Sequence, residues 1–202
     1  MKKIEYVSVD KDVLEFLKVI YFGGIKDPMD AACSHAYLDM NRTIRFCKMP
    51  EEKRIALRKK VLRLFKTEIP KIDKNCDTQE NYDAWHRGIC FEICSYYQKE
   101  GIDFYIGQAQ KWINMTMKYL YMSEEYQFET IFPFLHVPID NYVLNIASKE
   151  LEIKKPSVCW SRWKEYEEQY MYYQMELRNK IKDYYPLRWE FKYWMKEARS
   201  LE

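Results

Sequence analysis

Residues 107–122 of this 202-residue chain, GQAQKWINMTMKYLYM, decide the fold. At about 100° per residue, the apolar side chains of this segment cover most of a helical circumference. A helix that is apolar on nearly every side is typical of one buried among other helices. The sequence therefore predicts a central helix that begins near Gly107, ends about Met122 and is surrounded by further helices.

The other helices follow from apolar spacing and from signals at helix ends. Five glycines and seven prolines in the whole chain indicate few turns and long elements. We therefore predict an all-α fold in which residues 1–202 form a single compact domain of about seven to eight helices. The predicted ranges are 10–22, 28–41, 50–66, 82–99, 107–122, a helix opening at 137–140, a long aromatic helix over 158–184 and a last one over 189–198, with 67–81 as a loop.

Composition excludes several classes of protein. A hydrophobic content of 48% with 17% aromatic residues argues against disorder, and a net charge of +2 does not by itself indicate a polyanionic partner. No stretch approaches about 18 apolar residues, so no membrane span is predicted. Charged residues interrupt the first dozen positions before any apolar run, which predicts no signal peptide. A cytoplasmic location is predicted from the cysteines, which are expected to be reduced thiols.

The six cysteines include no CxxC pair. His86, Cys90 and Cys94 recur every four residues on one predicted helix, which is compatible with a metal or redox site or with a buried stripe of reduced thiols. The second interpretation is favoured because the sequence offers no evident fourth ligand. We accordingly predict neither a metal nor a cofactor.

Polar residues of the central helix are few and close together. Lys111, Asn114 and Lys118 fall within about 60° of one another on the helical wheel. A lysine on a mostly buried helix loses the water that solvates its ammonium, and its neutral amine is then available as a nucleophile. The alternative is a lysine whose stem packs while its head reaches water.

The segment His136-Val137-Pro138-Ile139-Asp140 precedes the next predicted helix. A proline just before a helix start and an aspartate at the N-cap fit the rules for helix initiation. Asp140 is therefore either a simple N-cap or a functional carboxylate.

Two stretches together resemble the helix-hairpin-helix DNA glycosylase superfamily. They are Gly107-Gln108-Ala109-Gln110-Lys111 and Val137-Pro138-Ile139-Asp140-Asn141-Tyr142-Val143. Their residue pattern is most similar to that of the archaeal 8-oxoguanine glycosylase branch. In that family a glycine-bearing hairpin presents a catalytic lysine, and a Pro-x-Asp at a later helix start supplies an aspartate. The usual Leu-Pro-Gly-Val-Gly hairpin is replaced here by residues 104–107.

The resemblance implies excision of a damaged purine from double-stranded DNA. Lys111 would attack C1′ of the sugar to form a Schiff base, with Lys118 as the reserve nucleophile, and Asp140 would stabilise the developing charge. Substrate contacts would come from Gln110, Trp112, Asn114, Lys118 and His136. The DNA backbone would be held by the Gly107 N–H and by Arg58, Lys59 and Arg63 on the predicted helix 50–66.

Two alternatives remain open at this point. The helix 50–66 carries seven basic residues against two acids, which favours a non-catalytic nucleic-acid-binding protein. Lys111 and Asp140 can also form a structural salt bridge in a helical interaction or assembly protein. The sequence names neither the base lesion nor the oligomeric state.

Overall fold

Helices make up the regular structure of the described part of the chain, residues 10–124, 126, 128 and 130–199 of a computed structural model. Eight α-helices have nine or more residues and one is a four-residue turn, and no strand occurs among these residues, which confirms the all-α class. None of the described helices combines the length and apolar character that crossing a bilayer requires. The helices are α1 Lys11–Phe22, α2 Pro28–Met40, α3 Glu51–Glu68, α4 Ile72–Asn75, α5 Gln79–Gln98, α6 Ile106–Met122, α7 Asn141–Glu150, α8 Tyr172–Lys180 and α9 Pro186–Arg199.

The α6 helix is the centre of the fold, as its sequence predicts. Every residue from Ile106 to Leu120 is buried. The helix packs most extensively against α2 and then against α5. A single hydrophobic cluster includes buried side chains from α2, α3 and α5 to α9, so the described chain forms one domain.

Most predicted helix ends are confirmed within three residues. The Asp10 side chain caps α1, and Asp27 with Pro28 opens α2. The α3 helix buries a stripe of apolar side chains, Leu57, Val61, Leu64 and Phe65. These ends are predictable because capping groups and proline act over only a few residues.

The prediction of a loop over residues 67–81 is wrong. A 3₁₀ turn at Ile69–Lys71 leads directly into α4, and α5 begins at Gln79. Ile69 and Ile72 are each 1% exposed, so their burial holds this segment in helical turns. Thr78 starts α5 early by accepting a hydrogen bond from the Asn81 N–H (3.2 Å).

The prediction of one long aromatic helix over residues 158–184 is also wrong. The segment contains a 3₁₀ turn at Trp160–Arg162, an extended Trp163, a π-helix at Tyr166–Met171 and then α8, which ends at Lys180. Most aromatic side chains of the segment are buried, whereas Tyr172 and Tyr184 are exposed. The backbone between Trp160 and Tyr166 packs against the first turn of α6. Tertiary packing has overridden the helical spacing.

Gly107 explains why the chain is not helical between Trp160 and Tyr166. A Cβ atom at this position would lie 1.7 Å from the carbonyl oxygen of Trp160. The Gly107 N–H also donates to the Trp163 carbonyl (3.1 Å). The glycine is therefore the site where two backbones meet, and its position requires the absence of a side chain.

We expect Gly107→Ala to lower the free energy of unfolding by about 3 kcal/mol or more, because the methyl group meets backbone that cannot move aside. Gly88 is the matched control, since it is exposed within α5 and a Cβ there has nothing within 4 Å. Gly88→Ala should stabilise the protein by about 0.5–1 kcal/mol. Urea denaturation of both variants measures the contrast, and equal effects at the two positions would refute the close contact.

Candidate functional site

An open cleft with a volume of about 650 Å³ lies beside α6. This volume is in the range of sites for small organic ligands. Its walls come from α2, α6, the start of α7, the 3₁₀ turn at 160–162 and α9. The lining combines charged and aromatic side chains, among them Lys111, Lys118, Asp140, Glu190, Trp160 and Trp194.

Lys111 and Asp140 form an ion pair on the cleft wall. Lys111 Nζ lies 2.6 Å from Asp140 Oδ2, with side chains 6% and 16% exposed. The other carboxylate oxygen, Oδ1, accepts a hydrogen bond from the Val143 N–H (2.9 Å). Asp140 is therefore the N-cap of α7, as one interpretation of the sequence predicted, and also the partner of the lysine.

A second ion pair lines the same cleft. Lys118 Nζ donates to both carboxylate oxygens of Glu190, each at 2.7 Å, and lies over the rings of Phe191 and Trp194. Burial raises the pKa of Glu190, and the Lys118 ammonium opposes that effect. Lys118 is thus more fully engaged by protein groups than Lys111 is.

Two glutamines hold the extended segment that carries Asp140 into the cleft. Gln110 donates to the Ile139 carbonyl (2.8 Å) and accepts from the Ile139 N–H (3.1 Å). Gln174 makes the same two contacts with Val137, at 2.6 and 3.3 Å. Pro138, between them, has no N–H to satisfy. The side-chain amides therefore take the place of a neighbouring strand and fix the position of Asp140.

A buried polar network lies behind this segment. Asn114 accepts from His86 Nε2 (2.9 Å) and donates to the side-chain oxygen of Gln110 (3.1 Å) and to Tyr170 Oη (2.8 Å). His136 lies between Tyr170 Oη and Asp83 Oδ1, each at 2.7 Å. The network therefore connects Gln110, and through it Asp140, to groups deep in the core.

The hydrogen-bond partners indicate the tautomer of each histidine in the network. Asn114 and Asp83 accept through oxygen, so Nε2 of His86 and of His136 carries the proton. Nδ1 of each ring then accepts from a tyrosine hydroxyl, Tyr166 in one case and Tyr170 in the other. Both rings are neutral in this arrangement.

Burial dominates the titration of the network. It lowers the pKa of His86 well below its usual value and lowers that of His136 to about 4, where the nearby Arg178 assists and Asp83 opposes. Burial works to raise the pKa of Asp83, but hydrogen bonds from Arg178 and His136 outweigh it and the pKa is lowered. The network therefore stabilises the neutral form of both histidines.

The residues that the sequence grouped as substrate contacts divide into two sets. Lys118 lines the cleft, whereas Gln110, Asn114 and His136 are buried behind it. Trp112 belongs to the core, where its Nε1 donates to the Cys33 carbonyl (3.0 Å). The predicted polar stripe thus splits, because Lys111 and Lys118 face the cleft while Asn114 faces α5 and the π-helix.

The residues expected to hold the DNA backbone lie away from the cleft. Arg58, Lys59 and Arg63 are on α3, which contributes no residue to the cleft lining. Arg58 is paired with Glu51 at 3.1 Å. The Gly107 N–H is taken by the Trp163 carbonyl, so the expectation that it holds a phosphate does not fit this structure.

Cys90 and Cys94 are buried, and burial raises the pKa of both thiols, that of Cys94 to about 12. Both ring nitrogens of His86 already have hydrogen-bond partners. Among the described residues no group of three histidine, cysteine or acidic side chains is arranged to hold a metal ion.

Sequence reasoning missed the α9 contribution to the cleft. Leu187, Glu190, Phe191 and Trp194 follow the i, i+3, i+4, i+7 spacing of a buried helix face. An acid on such a stripe signals a buried carboxylate that needs a cation, and the available cation was Lys118. Phe191 and Trp194 of this helix accordingly line the cleft together with Glu190.

Comparison with known proteins identifies no relative, since no family model, curated protein or solved structure matches the chain.

We expect the free energy of unfolding to fall by about 3 kcal/mol from His136 alone as the pH drops from 6.5 to 4. The folded-state pKa of this histidine is below its unfolded value, so its contribution is complete above pH 6.5 and is lost as the pH falls toward 4. Asp83 acts at lower pH, below the ordinary aspartate value, and Glu190, with its raised pKa, acts in the opposite sense.

Urea titrations at several pH values for the native protein and for His136→Gln isolate this contribution. The glutamine keeps a donor toward Asp83 but does not titrate. The difference between the two proteins should shrink as the pH falls. A difference independent of pH would contradict a buried neutral histidine at this position.

Proposed function

We propose that this protein is a DNA glycosylase that excises a damaged purine such as 8-oxoguanine through a lysine Schiff base. The observation that carries the proposal is the Lys111–Asp140 pair, 2.6 Å apart on the wall of an open cleft. A purely structural ion pair has no need of a cavity of about 650 Å³ beside it. The resemblance to helix-hairpin-helix glycosylases adds support, because the same two residues match the catalytic lysine and aspartate of that family.

The chemistry requires Lys111 to act as a free amine. Asp140 takes the ammonium proton, and the Nζ lone pair forms a bond to C1′ as the bond from C1′ to the purine nitrogen breaks. The base leaves with that electron pair and takes the proton that Asp140 received. A proton moves from Nζ to O4′ as the bond from C1′ to O4′ breaks, which gives the iminium, and loss of a proton from C2′ then expels the 3′ phosphate by β-elimination and nicks the strand.

Lys111 is the better nucleophile candidate of the two cleft lysines. Its ammonium donates to one oxygen of Asp140, whereas Lys118 is held by both oxygens of Glu190 and by two aromatic rings. Releasing Lys118 would leave a buried carboxylate without its cation, which is strongly destabilising.

The rest of the cleft suits an extruded base. A purine presents flat faces and a polar edge, and Trp160, Tyr142 and Trp194 supply aromatic surface on the walls. Lys118 and Glu190 supply a donor and an acceptor for the edge. Extrusion costs a few kcal/mol of unstacking, least where the base is damaged or mispaired.

The proposal implies double-stranded DNA as the partner and a cytoplasmic enzyme. All six cysteines are free thiols, as expected in a reducing compartment. A non-catalytic nucleic-acid-binding protein and a helical assembly protein with a structural ion pair remain the competing functions, and the following experiment separates them.

Borohydride trapping on a duplex that contains 8-oxoguanine tests the proposal directly. We expect a covalent adduct with the native protein, loss of the adduct in Lys111→Ala, and adduct formation on an abasic duplex by the matched double variant K118M/E190Q, which leaves no buried carboxylate without its cation. An adduct that disappears only in K118M/E190Q would move the nucleophile to Lys118. DNA binding without base release or adduct would favour the non-catalytic function, and no affinity even at low salt would favour the assembly protein.

The Asp140→Asn variant separates catalysis from folding. Asparagine is as good an N-cap as aspartate, so the variant should keep the α7 cap and fold, with a lower melting temperature because the nearly buried Lys111 ammonium loses its counter-ion. Base release under single-turnover conditions should fall by about 10²–10⁴-fold, because the amide cannot accept the lysine proton. Unchanged base release in a folded variant would remove Asp140 from the mechanism.

A further inference from the structure

Arg42 is a cation at the mouth of the cleft with no acidic partner among the described residues. It is exposed, lines the cleft and belongs to the short 3₁₀ turn Asn41–Thr43 that follows α2. A guanidinium in this position is available to an anion that approaches the cleft.

Two further cations lie next to the part of the wall that Trp160 and Ser161 form. The Arg162 guanidinium and the Lys164 ammonium lie 5.4 and 5.5 Å from the centre of the Tyr105 ring. They follow Trp160 and Ser161, which line the cleft. Neither cation has an acidic partner in the part of the chain that the structure describes.

Gln108 holds these two groups of cations around the start of α6. Its amide nitrogen donates to the Thr43 carbonyl (2.9 Å), next to Arg42, and its amide oxygen accepts from the Tyr105 N–H (2.9 Å). Gln108 is fully buried, so both contacts are fixed. Lys111 lies three residues further along the same helix.

The basic helix α3 differs from this rim in two respects. It contributes nothing to the cleft lining, and several of its cations are paired with acids, as in the contacts of Arg54 and Arg58 with Glu51 and of Lys53 with Glu100. Its charge is therefore partly neutralised and lies away from the candidate nucleophile.

We propose that Arg42, Arg162 and Lys164 bind the DNA phosphates that flank the nucleotide in the cleft. This inference rests on the proposed function. A nucleotide that leaves the helical stack draws its neighbouring phosphates toward the protein, so cations are needed at the mouth rather than on the floor. Cations that no acidic side chain of the protein neutralises can release the counterions of those phosphates on binding.

The test is the salt dependence of binding to a duplex that carries a tetrahydrofuran abasic analogue, which cannot be cleaved. Fluorescence anisotropy between roughly 50 and 200 mM salt gives the slope of log K against log salt. The double variant R42A/R162A should make this slope shallower by about 1.8, or about 0.9 for each phosphate that the variant no longer neutralises. The charge-matched double variant K59A/R63A on α3 should leave the slope unchanged.

Base release by the native protein, measured in parallel, distinguishes the two proposals. A shallower slope in R42A/R162A supports the phosphate site whether or not base is released, and the absence of base release then counts only against the glycosylase. Base release with an unchanged slope in R42A/R162A, or a slope that falls only in K59A/R63A, would overturn the phosphate site alone. Failure of the native protein to bind the duplex at low salt would overturn both.

Discussion

The structure depends on one constraint: a helix buried on every side carries polar side chains, and each must find a partner inside the protein. An unpartnered buried polar group costs a few kcal/mol, so these side chains dictate which segments lie beside α6. Gln108 fixes the turn after α2, Gln110 fixes the segment before α7, Lys111 fixes the α7 cap, Asn114 fixes α5 and the π-helix, and Lys118 fixes α9. One helix thus places its neighbours on several sides.

This constraint also unites the cleft with the network behind it. Lys111 and Lys118 are directed to the side where α7 and α9 leave space, and Gln110 and Asn114 are directed to the side where the core is closed. The chain Asn114–Gln110–Ile139 then connects the neutral histidines to the backbone next to Asp140. The buried network therefore fixes the geometry of the Lys111–Asp140 ion pair, and a packing change near His86 would shift that geometry.

Much of the fold could be predicted from local signals, and the exceptions have a common cause. Caps and prolines located α1, α2 and α3, since they act within a few residues. The prediction of a helix over 158–184 is wrong over 158–165, because the backbone of that stretch packs against Gly107 of α6, a contact that the spacing of apolar residues does not report. Residues 69–75 are a second case in which tertiary packing decides the structure. The burial of Ile69 and Ile72 holds this proline-containing segment in helical turns.

Asp140 shows how one position can be constrained twice. A side chain there must be short enough to cap α7 and must also carry the negative charge that faces Lys111. Serine, threonine and asparagine satisfy the first demand, and glutamate satisfies the second with a less favourable cap. Among the natural amino acids, aspartate alone meets both demands, so any single replacement at this position gives up either the favourable cap or the charge that faces Lys111.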